Sequence, residues 1–239
     1  MTYKNIIASG CSFTQDGIGG APPSGDTPGG NSFVYDVDVG EKTPASWASF
    51  IAQKLQPQSF INTAASSHGN MLVCQTIVDL LNKYNYSPDN TLIIFNISNF
   101  YRYDVMCDRS NIDSSAHTPW DEDLLNYNFL DLSSATHKNV TDHISIEHMR
   151  QQSVTHLRLL FNFLENQKYN FKFLWMEDYS EDFENDKFLS KYINRLMLLE
   201  SSNNMIDFCC SKQLTVSDKD FHPNTQGHQI ISELVLDQL

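Results

Sequence analysis

Short apolar runs rich in β-branched and aromatic residues alternate with stretches of helical periodicity along the chain, and this alternation most limits what it can fold into. Residues 3–8, 58–62, 91–97, 171–176 and 205–208 read as five short strands. The clearest is 91–97 (TLIIFNI), a nearly unbroken apolar run of the kind a strand covered on both faces requires. Between them lie helical faces: Trp47, Phe50, Ile51 and Leu55 after Pro44; Leu72, Ile77, Leu80 and Leu81 within 71–84; Met149, Leu157, Leu160, Phe161 and Leu164 within 146–168. Ile230, Ile231, Leu234 and Val235 mark 223–239 as a closing helix. Strand followed by helix, repeated, predicts the α/β class: a three-layer α/β/α sandwich on a roughly five-stranded parallel sheet. In such folds ligands bind beyond the carboxyl ends of the strands.

At 239 residues the chain fits one domain, 1–239, with polar insertions at about 16–43 and 102–142. The first insertion is rich in Gly, Pro, Ser and Asp; the second has weak periodicity and many Asp, Asn, Ser and His. Lys and Arg number 16 against 29 Asp and Glu, a net charge of −13. A surface so acidic repels phosphate backbones and anionic headgroups, which argues against nucleic-acid and membrane partners. The start, MTYKNIIASG, has no basic stretch leading into a long apolar core, and no apolar run approaches a membrane span. Five cysteines without CxxC spacing fit reduced thiols and a cytoplasmic setting.

Two segments carry the chemistry. Gly10-Cys11-Ser12-Phe13-Thr14 follows the first strand, so Ser12 stands at the carboxyl edge of the sheet. A serine hydroxyl is a weak nucleophile and needs a base and an orienting acid. The second segment, Asp218-Lys219-Asp220-Phe221-His222-Pro223-Asn224, offers both just before the closing helix.

These segments resemble the first and last motif blocks of the SGNH/GDSL hydrolase family. The resemblance implies a flavodoxin-like α/β domain with Ser12 as nucleophile and His222 as base, Cys11 standing where the family carries Asp. The family's acid lies three residues before the histidine, where this chain has Lys219. Asp220 is the favoured acid and Asp218 the alternative. The middle blocks supply oxyanion donors. Asn62-Thr63-Ala64 opens the loop resembling the second block, where the N–H of Ser67 or Gly69 is the candidate. Ile97-Ser98-Asn99 resembles the third block without its Gly, which makes Asn99 the side-chain donor ahead of Asn96. The N–H of Ser12 completes the set. The implied activity is hydrolysis of small acyl esters, including O-acetyl groups on carbohydrate, through an acyl-enzyme on Ser12 without cofactor or metal. An acyltransferase on the same site and a silent binding module on the same fold are the alternatives.

Several residues have plainer readings. Cys11 could serve as nucleophile, but the strand geometry that exposes Ser12 turns it inward. His228 reads as a packing residue, and His68 as a structural one near the pocket. His137, His143 and His148 fit no metal-ligand spacing. Arg102 and Asp104 either tie the second insertion to the core or meet a substrate. Trp120 is a lid anchor or a sugar platform. The run 177–186 holds six acids in ten residues and reads as a solvated surface.

Overall fold

The sheet is built outward from β4 (Thr91–Ile97), every residue of which is buried. A strand can be buried at each position only if both its faces are covered, and here they are. β1 (Asn5–Ser9) and β5 (Asn170–Trp175) pair with it in parallel, and β3 (Ser59–Asn62) pairs in parallel with β1. The two-residue β2 (Val34–Tyr35) runs antiparallel along β3, giving the order β2-β3-β1-β4-β5. The computed structural model describes residues 3–14, 34–35, 46–64, 68–102, 104 and 145–239.

Side-chain alternation splits the core in two. Ile6, Ala8, Leu92, Ile94 and Leu174 face one layer of helices, α1 (Trp47–Leu55), α5 (Met205–Ser211) and α6 (Thr225–Leu236). Ile7, Ile93, Phe95, Ile97 and Phe173 face the other, α2 (Asn70–Tyr84) and α3 (Ile146–Asn166), with Phe183 of the short α4 (Ser180–Asn185). Each fully buried Ile or Phe is worth about 1.5–3 kcal/mol of transfer free energy. The α1 start is fixed by a reciprocal pair: Ser46 accepts from Ser49 N–H, and the Ser49 hydroxyl accepts from Ser46 N–H at 2.9 Å.

Two expectations need correction. The sheet has four parallel strands and one short antiparallel edge, not five parallel strands. Residues 205–208, read as the fifth strand, begin α5 instead. Met205, Phe208 and Cys209 are buried at helical spacing, and Asn204 caps the helix by accepting from Asp207 N–H at 2.9 Å. Four residues, Met-Ile-Asp-Phe, are too few to distinguish the two periods. Among the described residues no helix is long and apolar enough to cross a membrane.

A second, two-stranded sheet pairs β6 (Thr215–Ser217) with β7 (Asp220–Pro223), antiparallel. It sits between α5 and α6, and β7 leads through Asn224 into α6. Asn224 fixes that junction: its side chain accepts from Gly227 N–H at 2.9 Å and donates to the Thr215 carbonyl at 3.1 Å.

Candidate active site

The turn after β1 is locked from three sides. Thr14 N–H donates to the Cys11 carbonyl at 2.9 Å, closing it. Asn96 Oδ1, reaching across from β4, accepts from Cys11 N–H at 3.0 Å and from the Thr14 hydroxyl at 2.6 Å. Asn62 Nδ2 donates to the Thr14 carbonyl at 2.9 Å, and Trp47 Nε1 donates to Thr14 Oγ1 at 3.1 Å. Gly10 has φ +152°, and a Cβ there would stand 1.9 Å from Asn96 Oδ1, so only glycine fits. Cys11 is fully buried with Sγ directed at Asn96 and Met176.

The turn brings Ser12 to His222. Ser12 Oγ lies 2.6 Å from His222 Nε2, and His222 Nδ1 lies 2.5 Å from Asp220 Oδ1. Asp220 also accepts from His222 N–H at 3.1 Å. With Nδ1–H given to the carboxylate, Nε2 is left to accept the Ser12 hydroxyl proton. The Phe13 ring packs against the imidazole with centroids 4.6 Å apart. The hydrogen bond from His222 holds the Asp220 carboxyl below its ordinary range despite a smaller opposing effect of burial. Asp218, the alternative acid, is exposed in the β6–β7 turn.

The expected oxyanion donors are placed less simply. Ser67 lies outside the described residues. Gly69 N–H donates to Asp104 Oδ1 at 2.9 Å, so it is already committed and the expectation that it faces an oxyanion is corrected. Asn99 Nδ2 lies 3.0 and 3.1 Å from the two Glu177 carboxylate oxygens, and its Oδ1 accepts from Tyr101 N–H at 2.7 Å. Glu177 therefore fixes the amide plane of Asn99. Asn96, set below Asn99 as a donor, is spent on the turn around Cys11.

Behind these loops sits a buried polar cluster. Asp104 accepts from Gly69 N–H and, at 2.9 Å, from Leu72 N–H. It thereby caps α2, whose own N-cap residue is the side-chain-free Gly69. Burial pushes the Asp104 carboxyl up to about 6, against these hydrogen bonds and nearby Arg102. Arg102 and the Ser98 hydroxyl both donate to the His68 carbonyl, at 3.2 and 2.6 Å. Burial, helped by Arg102, drives the His68 imidazole down to about 3, so it is neutral. Arg102 and Asp104 thus tie the start of the second insertion to the core. Asn70 and Ser98 exchange hydrogen bonds at 2.8 and 3.0 Å, joining the same two loops. His228 is fully buried, its Nδ1 accepting from Trp47 N–H at 3.2 Å. Trp120, His137 and His143 lie outside the described residues, and His148 is exposed on α3.

The structural clamps were the residues least visible in the sequence. Asn96 occupies a β4 position whose alternation calls for an apolar side chain like Leu92 and Ile94. That polar interruption of a buried strand was the available signal. For Asp104 capping a helix that starts 34 positions earlier, with residue 103 and the rest of the insertion giving no period, no local signal exists.

A family model described as a family of unknown function (DUF6071) matches residues 36–199. That stretch includes Asn62, Gly69, Asn96 and Asn99 and lies between Ser12 and Asp220. No curated protein matches the chain. Among solved structures, the chain is similar to a carbohydrate esterase whose active site is described as displaying divergent catalytic and non-catalytic binding functions. The identity is 13% and the TM-score 0.42, over 98% of this chain and 67% of that one.

Proposed function

For a chain that belongs to DUF6071, a family of unknown function, we propose hydrolysis of esters by a serine nucleophile, in the manner of the SGNH/GDSL hydrolases. One observation carries the reading: Ser12 Oγ, His222 and Asp220 form a continuous relay with contacts of 2.6 and 2.5 Å. His222 Nε2 takes the Ser12 proton as Oγ attacks the acyl carbon, then returns it to the departing alcohol. Asp220 holds the imidazole in the required tautomer and stabilises the imidazolium that forms. Water then attacks the acyl-Ser12 ester with His222 again as base. The oxyanion is met by Ser12 N–H and by the second N–H of the Asn99 amide, whose plane Glu177 sets. Small acyl groups, such as acetyl, are the proposed substrates.

The test is p-nitrophenyl acetate hydrolysis by wild type and Ser12→Ala, with labelling by a fluorophosphonate. The proposal expects turnover and labelling at Ser12 in wild type and neither in Ser12→Ala. Equal turnover in both proteins overturns it. Absence of both in wild type favours a binding module on the same fold.

A further inference from the structure

Asn96 stands out as a polar side chain on an otherwise apolar face of the central strand. It lies in the central strand, fully buried, on the face shared by Leu92 and Ile94, and in register with Leu174 of β5. A buried amide is tolerated only where its hydrogen-bonding capacity is used. Here both ends are used, and three of the four contacts go to the turn that carries Ser12. Oδ1 accepts from Cys11 N–H and the Thr14 hydroxyl; Nδ2 lies 3.2 Å from Cys11 Sγ and 3.4 Å from the Ile97 carbonyl.

We propose that Asn96 is a positioning residue for the Ser12 nucleophile: it grips the residues on either side of Ser12 and so aims Oγ at His222 Nε2. The proposal rests on the serine-hydrolase reading above. The hold on Ser12 runs through Cys11, the residue before it, and Thr14, two residues after it. The acceptor oxygen occupies the space that a Cβ on Gly10 would fill, so the turn and the amide are fitted to each other. Thr14 extends the grip, because its hydroxyl donates to Asn96 while accepting from Trp47 Nε1. Trp47 N–H in turn donates to His228 of α6, the helix that follows His222. A run of hydrogen bonds therefore ties the nucleophile's turn to the helix behind the base. A Leu or Ile at position 96 would serve packing equally well and would leave Cys11 N–H and the Thr14 hydroxyl without this acceptor.

The experiment compares wild type, Asn96→Ala, Asn96→Asp and Thr14→Val in three readouts: kcat and KM on p-nitrophenyl acetate, the rate of fluorophosphonate labelling, and hydrogen exchange at the Cys11 amide. Misplacing a nucleophile by about 1 Å costs on the order of 10²-fold in rate. Asn96→Ala should lose kcat on that scale with KM little changed, slow labelling in parallel, and speed exchange at Cys11 N–H. Asn96→Asp, which keeps an acceptor oxygen in place, should recover most of the loss. Wild-type kcat in Asn96→Ala overturns the proposal, as does failure of Asn96→Asp to recover. Should Asn96→Ala not fold, Thr14→Val decides: a lower kcat at unchanged KM supports the proposal, and wild-type kinetics overturn it. Should wild type neither turn over nor label, the hydrolase reading falls and Cys11 exchange alone decides. Faster exchange in Asn96→Ala then upholds the grip on the turn, and unchanged exchange refutes it.

Discussion

Asp220 and His222 sit two residues apart on the same strand, β7, with their side chains 2.5 Å from each other at Oδ1 and Nδ1. Strand alternation makes this possible, because residues i and i+2 share a face. A residue three before the histidine would project to the other face of an extended strand. The offset of the proposed acid from the SGNH/GDSL spacing is thus matched by the extended backbone that bears Asp220. Asp220→Asn should lower kcat by about 10²–10⁴-fold, by analogy with the loss of a triad acid elsewhere. Asp218→Asn should leave kcat near wild type, since Asp218 is exposed in the turn. Steady-state kinetics on the two variants separate them, and the reverse ranking would reassign the acid.

Asn99 is held by Glu177, which orients the amide while occupying one of its two N–H donors. Asn99→Ala should cost about 10²–10³-fold in kcat if the remaining N–H meets the oxyanion. Glu177→Gln can still accept from Asn99 and should cost less. A variant pair in which Glu177→Gln is the more damaged would mean that the carboxylate charge, not its hold on Asn99, matters to turnover.

His68 and Asp104 push the pH dependence of stability in opposite directions. The folded Asp104 carboxyl titrates near 6, above its ordinary 3.8. Its contribution is fully present below that ordinary value and is lost as pH rises through about 6. The folded His68 imidazole titrates near 3, below its ordinary 6.5. Its contribution is fully present above 6.5 and is lost as pH falls toward 3. Between roughly pH 4 and 6 the two slopes oppose each other in wild type. Asp104→Asn should unmask a protein that weakens steadily on acidification, and His68→Gln one that strengthens over the same interval. Melting temperatures across that range test this; parallel curves for the two variants would refute it.

Legibility followed physical redundancy. The strand 91–97 was readable to the residue because burial on both faces writes an apolar run that Asn96 alone interrupts between Leu92 and Ile97. Helices α2 and α3 were readable within two residues because their buried stripes repeat over several turns. α5 was not, since seven residues hold too few repeats to separate a helix from a strand, and its Asn204 cap was the only tie-breaker. β2 is two residues long and leaves no period at all. At the site, Ser12 and His222 could be picked out because each sits in a dense local pattern of Gly, Asp, Pro and Asn. The roles of Asn96, Glu177 and Asp104 were hidden because each is defined by a partner far away in sequence. Asn96 meets Cys11 across 85 positions, and Asn99 meets Glu177 across 78.

The contact between Ser12 and His222 spans 210 positions. Closing so long a loop is slow and entropically costly compared with forming any one helix. The hydroxyl and the imidazole come from opposite ends of the chain, and they meet where β1 of the parallel sheet and the β6–β7 hairpin are both in place. A chain cut between them carries the hydroxyl on one piece and the imidazole on the other. On the serine-hydrolase reading proposed above, activation of Ser12 by His222 is thus a readout of completed assembly.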